Sequence, residues 1–261
     1  MSAIRPPVAA GVFYPGRAGE LAATVERLLA AAQPPVLPGT LHALVAPHAG
    51  YVYSGPVAAT AFATLRGRDG SRVALLGPSH FAPLRGVAVS GADGWETPLG
   101  TVAVDGWLRE AVLAGGAVVD DGPHARDHAL EVELPFLQHV LGPALSVLPV
   151  AVGADADEAA AVVTVLSADA LVVVSTDLSH YHDDATARRL DRRTAEAVLA
   201  LDAASIGDSD ACGAQALRGL LLHARRAGWA CTELDLRTSG EALGDTASVV
   251  GYGAFAFTEA Q

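Results

Sequence analysis

The chain has 261 residues, 51% of them hydrophobic, and a formal net charge of −12. That length buries a sizeable core within one domain, and the acidic balance repels phosphates, which argues against nucleic-acid or anionic-membrane partners. All 17 strongly basic residues are arginine, so Schiff-base chemistry on lysine and a P-loop lysine are excluded.

In chain order, Gly19–Ala32 has helical periodicity and Leu41–Ala46 is a continuous apolar run of strand length. Pro56–Leu65 follows as a helix, then Arg72–Gly77 and Gly86–Ser90 as strands. Trp95–Asp105 is punctuated by Pro98 and Gly100 and reads as a hairpin or loop, and Glu131–Val140 as a short helix. Ala144–Ala151 predicts a strand, Asp155–Leu166 a helix and Leu171–Ser175 a strand. Asp184–Leu201 and Ala211–Ala227 are helical patterns, and Ser248–Phe257 closes the series as a strand. Uninterrupted apolar strands alternating with helices predict an α/β fold: a single domain over residues 1–261, with a central, mostly parallel sheet flanked by helices.

Residues 1–15 hold no apolar signal segment, and no run approaches the roughly 20 apolar residues of a membrane helix. A soluble, cytoplasmic protein is therefore expected. Cys212 and Cys231 are too few for a disulfide framework and read as free thiols.

Three predicted strands run out into segments that deliver a histidine. Leu41–Ala46 is followed by Pro47 and His48, Arg72–Gly77 by Pro78, Ser79 and His80, and Leu171–Ser175 by Thr176, Asp177, Leu178, Ser179 and His180. Ligands of open α/β sheets bind beyond the carboxyl ends of the strands, so these histidines are candidates to converge. His48 and His80 are the first candidates for metal ligands, imidazole being the commonest. His180 is either a third ligand or a free acid/base. Asp177 stands close enough to orient the His180 ring or to accept a proton, although a helix cap or a turn would also use it. His182 belongs to the rim.

The stretch from His124 to Glu131 pairs two imidazoles with two carboxylates. His128 and Glu131 can therefore supply hydrogen bonds to metal-bound histidines, or serve a helix N-terminus. Cys212 opens a helical segment, where a thiolate would be favoured, whereas Cys231 lies in the apolar run Trp229–Leu236 and reads as structural.

Several motifs in one order resemble the Memo family, called AmmeMemoRadiSam system protein B in prokaryotes. They are Ala46-Pro47-His48-Ala49-Gly50-Tyr51-Val52-Tyr53-Ser54-Gly55, Gly77-Pro78-Ser79-His80, Trp95-Glu96-Thr97-Pro98-Leu99-Gly100, Asp127-His128-Ala129-Leu130-Glu131, Ser175-Thr176-Asp177-Leu178-Ser179-His180-Tyr181 and Cys212-Gly213. The resemblance runs from Ala10-Gly11-Val12-Phe13-Tyr14-Pro15 to Val250-Gly251-Tyr252. It implies a fold like that of the class III extradiol dioxygenases of the LigB type, with a mononuclear metal at one end of the sheet.

By position, the resemblance implies His48, His80 and Cys212 as metal ligands, His180 as acid/base with Asp177 beside it, and Phe13 and Tyr53 as aromatic pocket walls. A cysteine stands where the dioxygenases have a carboxylate. The resemblance implies iron(II), and the softer cysteine thiolate brings in copper(I) and zinc as rivals. The chain also has Ala214-Gln215-Ala216 where family members commonly carry Arg and a later Pro. The implied ligand is a small aromatic molecule or a peptide, with radical-SAM and AMMECR-type proteins as implied partners. A pocket that binds aromatic or phosphorylated peptides without turnover, and a zinc hydrolase, are the competing expectations.

Overall fold

The computed structural model describes residues 3–68 and 72–260. Its strands are β1 (Ile4–Arg5), β2 (Leu41–Ala46), β3 (Arg72–Gly77), β4 (Gly86–Val89), β5 (Gly94–Thr97), β6 (Gly100–Val104), β7 (Val118–Val119), β8 (Ser146–Gly153), β9 (Leu171–Ser175), β10 (His180–His182), β11 (Trp229–Thr238) and β12 (Val249–Glu259). Its α-helices are α1 (Ala18–Ala31), α2 (Gly55–Ala63), α3 (Gly106–Ala114), α4 (Gly122–Ala125), α5 (Leu134–Leu141), α6 (Ala156–Leu166), α7 (Asp184–Leu199), α8 (Ala214–Ala227) and α9 (Gly240–Leu243).

The strands form one mixed sheet in the order β1-β5-β6-β8-β3-β9-β2-β12-β10, with β11 on β12 and β4 on β8 and β7. Its centre, β6-β8-β3-β9-β2, is parallel throughout. β12 runs antiparallel to β2, and β5 and β6 are the hairpin expected at Trp95–Asp105. The anticipated α/β sheet is present, antiparallel at both flanks.

The central strands are apolar on both faces because both faces are covered. Leu44, Val73, Leu75 and Val173 join one core with Leu21, Val57, Phe62 and Phe136 of α1, α2 and α5. Their neighbours Val45, Ala74, Leu76 and Val174 join another with Leu108, Val163, Val198 and Leu217 of α3, α6, α7 and α8. Local sequence places the helix starts: Asp105 caps α3, Asp155 caps α6 and Asp183 caps α7, each accepting backbone N–H groups of the first turn.

Register decides where the chemistry collects. Ala46 lies opposite Ser175 and Leu76 opposite Val174, so β2, β9 and β3 end level with one another. The segments carrying His48, Asp177 and His80 leave the sheet at one edge.

Some elements depart from the sequence reading. The apolar run Trp229–Leu236 is part of β11, a strand along the whole of β12, and α3 was not anticipated. The helix expected over Ala211–Ala227 begins at Ala214, because Cys212 and Gly213 form a turn pressed against Thr176. The strand expected from Ala144 begins at Ser146, since Gly142–Ala144 is a 3-10 turn entered through Gly142 at φ 69. No helix among the described residues is long and apolar enough to cross a membrane.

Candidate metal centre

His48 is buried directly beyond β2, and both its backbone and its ring are held. Its N–H donates to Asp177 Oδ1 at 2.8 Å, and its Nδ1 lies 2.8 Å from Ser175 Oγ. His80, beyond β3, is gripped by Asp127, which accepts the His80 backbone N–H at 2.6 Å and lies 3.1 Å from its Nδ1. With both Nδ1 atoms engaged, Nε2 is the ring nitrogen of each histidine left for a ligand, the arrangement that orients a metal-ligating imidazole.

Cys212 reaches this point from the loop before α8. Its Sγ lies 3.3 Å from His48 Nε2 and accepts the Asp177 N–H at 3.2 Å, while its own N–H donates to the Asp177 carbonyl at 3.1 Å. Gly213 must be glycine for this fit, because a Cβ there would meet Thr176 Cβ at 2.8 Å. The donor atoms of His48, His80 and Cys212 all lie within 4.8 Å of one another. Two imidazole nitrogens and a sulfur so placed fit one transition-metal ion of soft to intermediate character.

The electrostatics match that geometry. Burial, and then the neighbouring imidazoles His80 and His128, push His48 well below the usual histidine range, so it is neutral and able to ligate. For His80, burial opposes the charge, but the hydrogen bonds with Asp127 and Cys212 outweigh it and raise the imidazole to about 10. Asp127 is partly desolvated, yet the same hydrogen bond and the N–H groups of Ala129 and His80 hold it down to about 2. Without a metal, His80 and Asp127 are therefore an ion pair.

Three expected roles change. Asp177 was anticipated beside the His180 ring, but its carboxylate serves the His48 backbone, while its peptide group ties down Cys212. Burial, only partly offset by the nearby Leu178 backbone, lowers the His180 pKa. Burial raises Asp177 to about 7. Asp177 thus ties together the two loops that carry the candidate ligands His48 and Cys212.

Glu131 was expected beneath the metal-binding histidines and lies elsewhere. Fully buried, it accepts Arg5 Nη1 at 2.7 Å, the N–H groups of Val8 and Ala9 at 2.8 Å each, and the Tyr14 hydroxyl. It anchors the N-terminal segment that carries Phe13.

His128 is inside the pocket rather than hydrogen-bonded behind it. Its ring stacks on Phe13 at 4.0 Å and on His80 at 5.1 Å, and stands edge-on to His48 at 5.5 Å. Its buried Nδ1 has no hydrogen-bond partner among the described residues, and Asp127 Oδ1 lies 3.9 Å away. Burial lowers the imidazole to about 4, so it is neutral.

Phe13 thereby lies beside the candidate ligands, through its stack on His128. Tyr53 is 38% exposed and packs near Gly50 on the loop that follows His48. Sequence reasoning missed Phe81, 54% exposed with its ring 6.3 Å from His80, and the pair Ser175 and Glu133 beneath His48. Their only sequence signals were adjacency to His80 for Phe81 and the strand end for Ser175.

With this geometry in hand, comparison with known proteins is informative. The description "Memo-like protein" matches residues 5–256. A MEMO1 family protein of Nitrosopumilus maritimus is 34% identical over 97% of this chain and 99% of its own. A MEMO1 family protein of Thermotoga maritima is 36% identical over 95% and 97% respectively. The chain belongs to the Memo family. A further Memo relative, from Methanothermobacter thermautotrophicus, is 36% identical over 95% of the chain and 98% of its own. Because these matches span nearly every element, the Memo assignment covers the sheet and all the loops that carry the candidate ligands.

Proposed function

We propose that this Memo-family chain holds one redox-active metal ion through His48 Nε2, His80 Nε2 and Cys212 Sγ, and acts as a metal-dependent oxidoreductase on a ligand bound at the open side of that ion. The observation that carries the reading is the gathering of the three donor atoms within 4.8 Å, with both imidazoles already oriented by partners at Nδ1. Iron(II) is the proposed ion. The thiolate makes copper(I) the nearest rival, and zinc, with hydrolytic chemistry, the next. When bound, a redox ion supplies an open coordination position and a one-electron couple.

The protein's own groups do the rest. Asp177 and Asp127 fix the ligand loops. Phe13, Tyr53 and Phe81 offer aromatic surface to a planar ligand or an aromatic side chain. His180, neutral and half-buried, is the group proposed to accept a proton from it, with His128, stacked on His80, as a second neutral imidazole. A fold and chemistry like those of the class III extradiol dioxygenases belong to the same proposal. The rival reading of a binding pocket without turnover draws support from exposed apolar groups, Val52 and Phe81 on the flanking loops and Tyr181 in β10.

Anaerobic purification followed by elemental analysis tests the proposal, with about one ion per chain expected. Cys212 should resist alkylation while metal is bound and react after chelation, and Cys231, whose thiol burial pushes up, serves as the internal control. A folded His48→Ala, His80→Ala double variant that still binds metal with unchanged stoichiometry and affinity would remove the site.

A further inference from the structure

Beneath His48 lies a hydrogen-bond node whose proton count can be worked out. Ser175 Oγ contacts three groups: His48 Nδ1 at 2.8 Å, the Ala129 carbonyl at 2.8 Å and Glu133 Oε1 at 2.7 Å. A serine hydroxyl has one proton to give and two lone pairs to receive with. The Ala129 carbonyl has no proton at all, so the only proton that can occupy that contact is the serine's own. The other two contacts must then be filled from outside, by an N–H on His48 Nδ1 and an O–H on Glu133.

Every other arrangement leaves a close contact without a proton. If Ser175 donates to an ionised Glu133, its oxygen faces the Ala129 carbonyl at 2.8 Å, lone pair to lone pair. If it donates to His48 Nδ1, both the carbonyl and the carboxyl contacts are empty unless Glu133 is protonated.

We propose that Glu133 is a neutral carboxylic acid that donates to Ser175, and that this donor makes it a positioning residue for His48, holding the imidazole as the Nδ1–H tautomer with its Nε2 lone pair directed at the metal position. A second observation agrees. Glu133 is 0% exposed, and among the described residues its Oε2 has no hydrogen-bond partner. A carboxylate there would bury a charge with one oxygen unsolvated, which costs far more than an unpaired carbonyl oxygen of the neutral acid. Burial, reinforced by the nearby Asp177, pushes the Glu133 acid well up, in the same direction.

The protonation part of this inference stands without any metal, and only its consequence for ligation rests on the proposed function. Infrared spectra of the metal-free protein in H2O and D2O, recorded well above the value of about 7 at which Asp177 ionises, should contain a protonated-carboxyl C=O stretch. That band should be missing from Glu133→Gln.

The amide of Glu133→Gln restores a neutral donor to Ser175. Its cobalt(II) affinity and cobalt absorption spectrum should therefore stay close to those of the unaltered protein, while Glu133→Ala and Ser175→Ala lose about 10-fold or more in affinity. Absence of the protonated-carboxyl band from the folded, unaltered protein overturns the proposal. So does a folded Glu133→Gln whose cobalt affinity falls as far as that of Glu133→Ala. Failure of the unaltered protein to bind cobalt at all would count against the metal reading alone, and the infrared result would still decide the state of Glu133.

Discussion

Replacing Asp127 with Asn tests the electrostatic frame of the site most directly. Asp127 is 5% exposed and accepts three hydrogen bonds: the His80 N–H at 2.6 Å, the His80 Nδ1–H at 3.1 Å and the Ala129 N–H at 3.0 Å. Asn has one acceptor oxygen. In its better orientation it keeps the two bonds made through Oδ1 and turns an NH2 toward the His80 backbone N–H, donor against donor. Hydrogen bonds to charged groups contribute about 1.5–3 kcal/mol each, so one lost bond, one repulsive contact and two bonds weakened by loss of charge predict a cost of about 2–4 kcal/mol.

The pH dependence is the sharper readout. His80 is raised from 6.5 to about 10, so its contribution to stability is fully present below about 6.5 and is lost as pH rises through about 10. Asp127 is depressed to about 2, so its share is present above 3.8 and is lost as pH falls through about 2. In Asp127→Asn, burial of His80 is no longer opposed by a carboxylate. Its titration should drop, with only the contact to Cys212 left to support it, and the alkaline loss of stability in metal-free protein should flatten. Denaturant melts across pH and NMR titration of the His80 ring measure both quantities. Metal affinity should fall about 10- to 100-fold, as for other partners of ligating histidines. A folded variant with an unchanged His80 titration and unchanged metal affinity would refute the reasoning.

Glu131→Gln should destabilise the protein by about 3–5 kcal/mol in urea melts, because it leaves the Arg5 guanidinium buried opposite an amide; a loss under 1 kcal/mol would show that the anchor is dispensable. Gly251→Ala should abolish folding or accumulate as aggregate, since a Cβ there falls on the Asp191 carboxylate that accepts the Ser179 N–H beside His180. A well-folded Gly251→Ala with native thermal stability would contradict that packing.

Much of this site was readable along the chain. Strand length, proline after the strand and histidine after the proline placed His48 and His80 at one sheet edge, because residues just beyond parallel strands leave on the same side. The helices at Asp155–Leu166 and from Asp184 were legible from periodicity, and their starts are fixed locally by the Asp155 and Asp183 caps, whereas α3, capped by Asp105, was not read from the sequence.

What the sequence could not give were relations between segments far apart. Glu131 and Glu133 stand two residues apart on one turn, yet one meets Arg5 and Tyr14 and the other meets Ser175 under His48; only the packing of that turn against two different partners separates their roles. Asp177 looked like a companion of His180 three residues on, but the level ending of β2 and β9 brings the His48 backbone to it first. Cys212 sits 164 residues from His48, and its local sequence, a cysteine before a helix, says nothing of that neighbour. Its place beside two imidazoles is set by Gly213, whose missing side chain lets the Cys212 loop close onto Thr176 and Asp177.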